Sequence, residues 1–497
     1  MSKVNLSKSS YCKCVQCEKI LWLNQYKKDI AIAEDKESVF ETGKKVGEYA
    51  KRLFGNYVDI PLDKTLNERI KKTDELLNDK ANVITEASFI YENNFCSVDI
   101  LKNDNDGVEI YEVKSSTKIK DIYLDDASYQ YFVLSNLGLN VKKVAIVYIN
   151  NEYIRGKQLD INQLFNIEDI TDIALEKQSE IKANIEMINN YMAEHGKDNE
   201  PIKDIGKFCF DPYSCAFWQY CTKDLPTPNV FDISGMQKRS KFKQYYGGNI
   251  SFEDLQHTNI NKKYLEQIDF ELNNREAKIN KKAISDILNS LKYPLYFIDY
   301  ESCQYAIPEI EGTKAYQQIP FQYSLHIIEK PEASLEHAEF LADINDENLI
   351  RTFAESMIKD VPENGSVIIY NKSFEPARNN EIARMYPDLK DELERINSNM
   401  VDFLVPFKQR KYYTKEMKGS ASIKAVLPAL YPDDPELDYH KLPVVHNGGE
   451  ASEAFLNLRY KSKEEQEEIR HGLLVYCELD TYAMVKLWEK FKEIIGE

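Results

Sequence analysis

Asp299 and Glu301 are separated by one residue at the end of the apolar run LYFIDYES, so on an extended strand both carboxylates project from one face. Downstream, VIIYNKSFE closes a second apolar run with Asn371, Phe374 and Glu375. Further on, VYCELDTYAMVKLW sets Tyr476 four residues before Asp480, a spacing that puts both side chains on one side of a helix. Four carboxylates delivered by three separate elements can hold two divalent ions about 4 Å apart, the geometry that activates a water and stabilises a leaving oxygen in phosphodiester hydrolysis. Tyr476 is then placed to orient that water. Each piece alone is common on protein surfaces; the ordered set DxE, NxxF(D/E), YxxxD within one α/β stretch carries the reading. Asp402, in MVDFLVPF, is a fallback acid.

A second group lies earlier in the chain. Glu112 and Lys114 in VEIYEVKSS again share a strand face, Asp99 sits on the preceding run FCSVDILK, Glu86 on the one before it, VITEASFIY, and Gln130 on the helical stretch that follows. Carboxylates converging beside a lysine offer hard oxygen ligands to Mg2+ or Mn2+, with Lys114 positioning the attacking water or stabilising the phosphorane charge. A lone ExK is more often a solvated charge pair on an edge strand. The Asp99 spacing, the apolar flanks and Gln130 raise this one above that background.

The carriers of these groups follow from periodicity. Glu37 to Leu53 reads as an amphipathic helix. Three short β-type runs from Asn82 onward, separated by Asn93-Asn94 and by the turn Asn103 to Gly107, read as a meander. A helix through DDASYQYFVLSNLG, closed by Gly138, leads to a fourth strand, KKVAIVYIN, and a charged helical region follows at 173–196. The second α/β unit opens with PLYFIDY and continues with strands at HAEFLA and GSVIIY and helices at 376–385, 464–475 and 478–493. The expected organisation is a first domain over 1–225, a helical linker over 226–290 that holds Pro226, Pro228 and Gly247-Gly248, and a second domain over 291–497.

The chain of 497 residues has 82 acidic and 64 basic side chains, a net charge of −18, which argues against coating nucleic acid or anionic membrane by overall charge. Any such site must be local. No apolar run approaches the roughly 18–20 residues of a membrane helix, and MSKVNLSKSSYCKC lacks the apolar core of a signal peptide, so the expectation is a cytosolic protein. Nine cysteines in a reducing compartment are not staples; the clusters Cys12, Cys14, Cys17 and Cys209, Cys215, Cys221 point to a metal or cluster site.

The order D…ExK…Q over a strand–strand–helix pattern resembles the RecB-like branch of the PD-(D/E)xK nucleases, in which a glutamine on the next helix contacts the site; Gln130 is its match. In the part of that branch that includes AddB and the CRISPR-associated RecB-like exonucleases, one cysteine before the nuclease core and three after it hold a [4Fe–4S] cluster. Cys17 with Cys209, Cys215 and Cys221 matches that layout. The resemblance covers about residues 1–225 and implies metal binding by Glu86, Asp99 and Glu112. It departs at Gly47, where the family has a histidine, and at Leu134, where it has a tyrosine. Zn2+ on the same four thiolates is the alternative cofactor, since the spacing after Cys209 is wider than CxxC.

The later set resembles the DEDD exonucleases of the RNase H-like fold, in the subgroup with tyrosine in the last motif. That resemblance implies that Asp299, Glu301, Glu375 and Asp480 are metal ligands, that Tyr476 positions the nucleophile, and that digestion runs 3′→5′. The family residue at 375 is normally aspartate, and Glu375 adds a methylene. The two domains in this order, with KGSASIKAVLPALYP and NGGEASEAF, resemble a bacterial family of unknown role in which they are fused. Lys408, Arg410, Lys411 and Lys424, interleaved with Phe407, Tyr412 and Tyr413, combine cations for a backbone with aromatics for base stacking. The expected partner is DNA or RNA, single-stranded or with a free end. The rival expectation is a nucleic-acid-binding or assembly protein whose first domain is a catalytically degenerate, cluster-braced clamp.

Overall fold

The computed structural model of the chain describes residues 4–32 and 37–496. It is a mixed α/β protein of two units, one comprising residues 1–225 with 305–316 and the other 226–304 with 317–497. No helix among the described residues is long and apolar enough to cross a membrane.

In the first unit a helix at Lys8–Gln16 (α1) precedes the sheet. Val83–Tyr91 (β1), Asn94–Asp104 (β2) and Gly107–Lys114 (β3) form an antiparallel meander, and the helix Asp121–Asn136 (α2) carries the chain across so that Val141–Ile149 (β4) pairs parallel to β3. Phe165–Asp169 (β5) adds on antiparallel. The turn into β3 requires glycine: Gly107 has φ +142°, and a Cβ there would meet the Asn140 carbonyl oxygen at 2.2 Å.

Strand alternation splits the apolar residues between two cores. Val83, Ile100, Tyr111, Ala145 and Val147 pack on one face, and Ile84, Val98, Leu101, Ile110, Val144 and Ile146 pack on the other. The second face also buries Tyr11 and Cys14 of α1 and Ala127 and Tyr129 of α2. Glu112 shares the parity of Ile110, and its carboxylate meets Lys8 of α1 and Gln130 of α2, with Asp99 4.0 Å from the same Lys8 ammonium.

In the second unit Leu295–Gln304 (β6), Gln318–Ile328 (β7) and Glu336–Leu341 (β8) are antiparallel neighbours, while Ser366–Ile369 (β9) and Met400–Asp402 (β10) run parallel to β6. The order is β8-β7-β6-β9-β10. Helices Glu375–Met385 (α3), Ile423–Leu430 (α4), Gly448–Asn457 (α5) and Lys463–Ile495 (α6) complete the part that matters for the site. Leu295 and Phe297 of β6 bury against Met484, Leu487 and Phe491 of α6. Asp299 and Glu301 continue that face of β6, and Tyr476 and Asp480 continue that face of α6 at helical spacing. Gln322 on β7 anchors the helix by donating to the Leu473 carbonyl at 2.8 Å.

Three expectations change. Residues 226–290 are not a linker: Val230, Ile233, Met236, Phe252, Leu255 and Ile268 close a core of their own within the second unit. Gly247, named above as part of the linker, is the C-cap of the helix Lys238–Tyr246. The helices expected at 464–475 and 478–493 are the single helix α6, because the residues between them continue the same buried stripe. Strand β7 is absent from the sequence reading; its run IPFQYSLHII is buried on both faces and shows no alternation.

Candidate active site

Asp299 and Glu301 from β6 and Asp480 from α6 bring one carboxylate oxygen each to within 4.8 Å of one another. Glu375, the first residue of α3, lines the same cleft of about 540 Å³ together with Tyr476, Lys424, Tyr370 and Phe374. Its Oε2 is buried and has no hydrogen-bond partner among the described residues. At α5 the chain comes close to Glu301: a Cβ at Gly448 would stand 3.3 Å from Glu301 Oε2. The four acids named from sequence are thus brought together, and Asp402 is not among them. Its Oδ1 accepts from the Asn371 and Leu404 amides at 3.0 and 2.8 Å and its Oδ2 from the Lys372 amide at 3.0 Å, fixing the loop that delivers Glu375.

Burial is the leading influence on these acids. It pushes Glu301 up to about 8, Glu375 up to about 7 and Asp480 up to about 6, and holds Asp299 well above the carboxylate range, with repulsion from neighbouring acids adding to it at Asp299 and Glu301. The cleft is therefore short of positive charge.

Two further residues complete the constellation. Lys424 donates to the Tyr476 hydroxyl at 3.1 Å and to the His446 carbonyl at 2.8 Å, with its ammonium 4.9 Å from the ring centroids of both Tyr439 and Tyr476. Tyr439 donates to Asp480 Oδ1 at 2.6 Å. Sequence reasoning placed Lys424 in a backbone-binding patch and passed over Tyr439, which sits in an irregular segment with no periodic signal.

The patch itself narrows. Tyr412 and Tyr413 are buried in the core with Phe407, so they are not stacking platforms for bases. Arg410 is 3 % exposed and lies over the Tyr413 ring at 4.2 Å, 3.8 Å from Glu266. The alternation of cations and aromatics marks a buried strand with its flanks, which leaves Lys408, Lys411 and Lys424 as cations with solvent access.

In the first unit Glu112 is 1 % exposed and its two oxygens are fully engaged. Lys114 and Lys8 donate to Oε1 at 2.6 and 2.8 Å, and Gln130 donates to Oε2 at 2.6 Å. Asp99 accepts from the Val113 amide at 2.7 Å, and Asp126, a residue not picked out from sequence, accepts from Lys114 at 2.5 Å. Glu86 stands beside them in the left-handed region, with φ 59°. Burial opposes ionisation of Glu112, but the two ammonium groups outweigh it and hold the carboxyl well below its usual range, whereas burial and the Glu112 charge push Asp99 up to about 7.

Lys8 is the unexpected member. Its ammonium lies 2.8 Å from Glu112 and 4.0 Å from Asp99, two of the acids expected from sequence as metal ligands, and 3.8 Å from Asp126. A cation in the first turn of α1 runs against the helix dipole, so these acids are what hold it there. Lys8→Ala is expected to cost roughly 3 kcal/mol of stability in EDTA, because it leaves buried carboxylates uncompensated. Mn2+ should then restore most of the loss by binding where the ammonium was. A variant as stable as wild type in EDTA would show that Lys8 is not their counter-ion.

Cys17, Cys209, Cys215 and Cys221 line one small cavity with Lys19, Ile20, Leu23, Lys203 and Phe208. Cys12 and Cys14 are elsewhere: Cys14 is part of the sheet core and Cys12 packs against it, near Asp126. Burial raises the four cavity thiols, Cys209 to about 12. Among the described residues, two groups have three His, Cys, Asp or Glu ligand atoms within 4.8 Å of one another, and neither contains a cysteine.

Residues 296–422 match the family model described as Domain of unknown function (DUF2779). That stretch includes Asp299, Glu301 and Glu375. A relative, Uncharacterized protein UU173 of Ureaplasma parvum serovar 3, is 28 % identical over 377 residues, which are 70 % of this chain and 51 % of the relative. The chain thus spans about half the length of the curated relative it matches. No solved structure matches.

Proposed function

We propose that the chain is a metal-dependent nuclease whose phosphodiester-cleaving site is the quartet Asp299, Glu301, Glu375 and Asp480. The observation that carries this reading is the convergence of four largely buried acids from three elements in one cleft, with a buried Glu375 oxygen that has no hydrogen-bond partner among the described residues. Buried acids without compensation are costly, and divalent ions bound by hard oxygen donors are the compensation this donor set suits. Bound there, Mg2+ or Mn2+ would supply an activated water and neutralise the leaving oxygen. The order β8-β7-β6-β9-β10, three antiparallel strands followed by two parallel ones, supports an RNase H-like fold of the DEDD kind.

The chain's own residues have separable roles in this reading. Tyr476, held by Lys424, orients the attacking water, and Lys424 itself faces the cleft as a cation for the phosphate. Tyr439 donates to one oxygen of Asp480, and Tyr476 hydrogen-bonds the same carboxylate, so the two tyrosines orient it toward the cleft. The substrate is a single strand of DNA or RNA with a free end, digested 3′→5′. Single-stranded DNA and RNA of one sequence, labelled at the 5′ end and incubated with Mg2+ or Mn2+, should give a ladder that shortens stepwise from the 3′ end. Intact polymers in every condition would reject the nuclease reading and favour a binding protein.

The meander, crossing helix and parallel strand of the first unit support a PD-(D/E)xK fold. For that unit a second reading is favoured by Lys8: with an ammonium among Asp99, Glu112 and Asp126, it acts as a nucleic-acid-binding or assembly clamp rather than a second nuclease. The lining of one cavity by Cys17, Cys209, Cys215 and Cys221 supports a [4Fe–4S] cluster as its brace, with Zn2+ on the same thiolates the alternative. Anaerobically purified protein is expected to be brown, absorbing near about 400 nm, with the colour lost in Cys209→Ser. A colourless protein with one zinc per chain would select the zinc alternative.

A further inference from the structure

His326 on β7, His337 on β8 and Glu478 on α6 also bring one ligand atom each to within 4.8 Å of one another. We propose that these three residues form a second metal site in this unit, independent of the acidic cleft, which takes a transition-metal dication such as Zn2+ in preference to Mg2+.

The backbone prepares the pair of imidazoles. His326 and His337 face each other across the β7–β8 ladder, and their ring centroids are 4.6 Å apart. Hydroxyl groups hold one nitrogen of each ring. Thr481 Oγ1 lies 3.0 Å from the Glu478 carbonyl oxygen and 2.8 Å from Ser324 Oγ. His326 Nδ1 lies 2.8 Å from the same Thr481 oxygen. His337 Nε2 lies 2.9 Å from Ser324 Oγ. Ring nitrogens held in this way by hydroxyls are the outer support that orients metal-binding histidines.

The donor set and its setting agree. His326 is 4 % exposed, so its imidazole is held in place by the surrounding side chains. His337 and Glu478 are solvent-exposed, which gives an ion an entry route and leaves coordination positions for water. Two imidazoles and one carboxylate suit zinc and its neighbours, whereas Mg2+ prefers oxygen donors. Such an ion would tie the edge strand β8 to α6, the helix that carries Tyr476 and Asp480.

The test is calorimetric titration of the full chain, stripped with a chelator, with Zn2+ in the presence of excess Mg2+. The number of zinc ions bound should fall by one in His337→Ala, and by one in His326→Gln, while Asp299→Asn retains that ion. His337 is exposed, so its variant should fold. An unchanged zinc count in both histidine variants would overturn the proposal, leaving the contact as a hydrogen-bonded chain. Loss of the same ion in Asp299→Asn would overturn it too, since the ion would then belong to the acidic cleft.

Discussion

Asp299→Asn is expected to lower metal-dependent cleavage by about 10^3-fold or more, equivalent to about 4 kcal/mol of transition-state stabilisation, without loss of the fold. Asp299 is the acid most exposed to its neighbours' charge: burial raises it, and Asp480, Glu375 and Glu301 raise it further. In a metal-free chain its carboxylate is a source of repulsion, and in a metal-loaded chain it is a ligand. The amide keeps the shape and removes both properties. The variant should therefore be at least as stable as wild type in EDTA while losing activity and the stabilisation that Mn2+ gives wild type. A variant that is inactive because it is unfolded would show the opposite pairing, so denaturation and turnover are measured on the same preparation.

The second large effect is a pH dependence of stability that metal reverses. Without metal, the native chain keeps protons on Glu301 to about 8, on Glu375 to about 7 and on Asp480 to about 6, whereas the unfolded chain releases them near 4. Between those limits the native state binds more protons than the unfolded state, so stability falls as pH rises from about 4 to about 8. Asp99, pushed up to about 7, contributes in the same direction. Glu112 has the opposite sign: its carboxyl is lowered by Lys114 and Lys8, so its contribution is present above about 4 and is lost in stronger acid. With each shifted unit equivalent to about 1.4 kcal/mol, the fall across the window is several kcal/mol. Mn2+ binds deprotonated carboxylates, so it should raise the denaturation midpoint far more at pH 8 than at pH 5.5. A metal-free midpoint that is flat or rises over this range would contradict this account of the cleft. Asp299→Asn should flatten the dependence.

The acids of the cleft were legible because each is locally encoded. A DxE at the end of an apolar strand and a Tyr four residues before an Asp on a helix fix side-chain direction through periods of 2 and 3.6, with little tertiary information needed. The meander around Glu112 was legible for the same reason, with turn residues marking each reversal. What escaped depends on contacts distant in sequence. Lys8 lies 104 residues from Glu112 and belongs to a different element. Tyr439 reaches Asp480 across 41 residues from a segment without regular periodicity. The burial of Arg410, Tyr412 and Tyr413 was misread because alternating cations and aromatics look alike in a strand-binding patch and in an amphipathic segment that packs its rings inward. The strand β7 and the unbroken length of α6 escaped because continuous burial erases the polar punctuation on which pattern reading relies.

The most direct test of the cleft is a sulfur substitution at the scissile phosphate. A single-stranded substrate whose 3′-terminal linkage carries a non-bridging phosphorothioate is compared with the all-oxygen strand in Mg2+ and in Mn2+. Cleavage through ions held by Asp299, Glu301, Glu375 and Asp480 predicts that sulfur slows the Mg2+ reaction at least tenfold and that Mn2+, the softer ion, restores most of the rate. A thio effect that is the same in both metals, or cleavage that persists in EDTA, would contradict it.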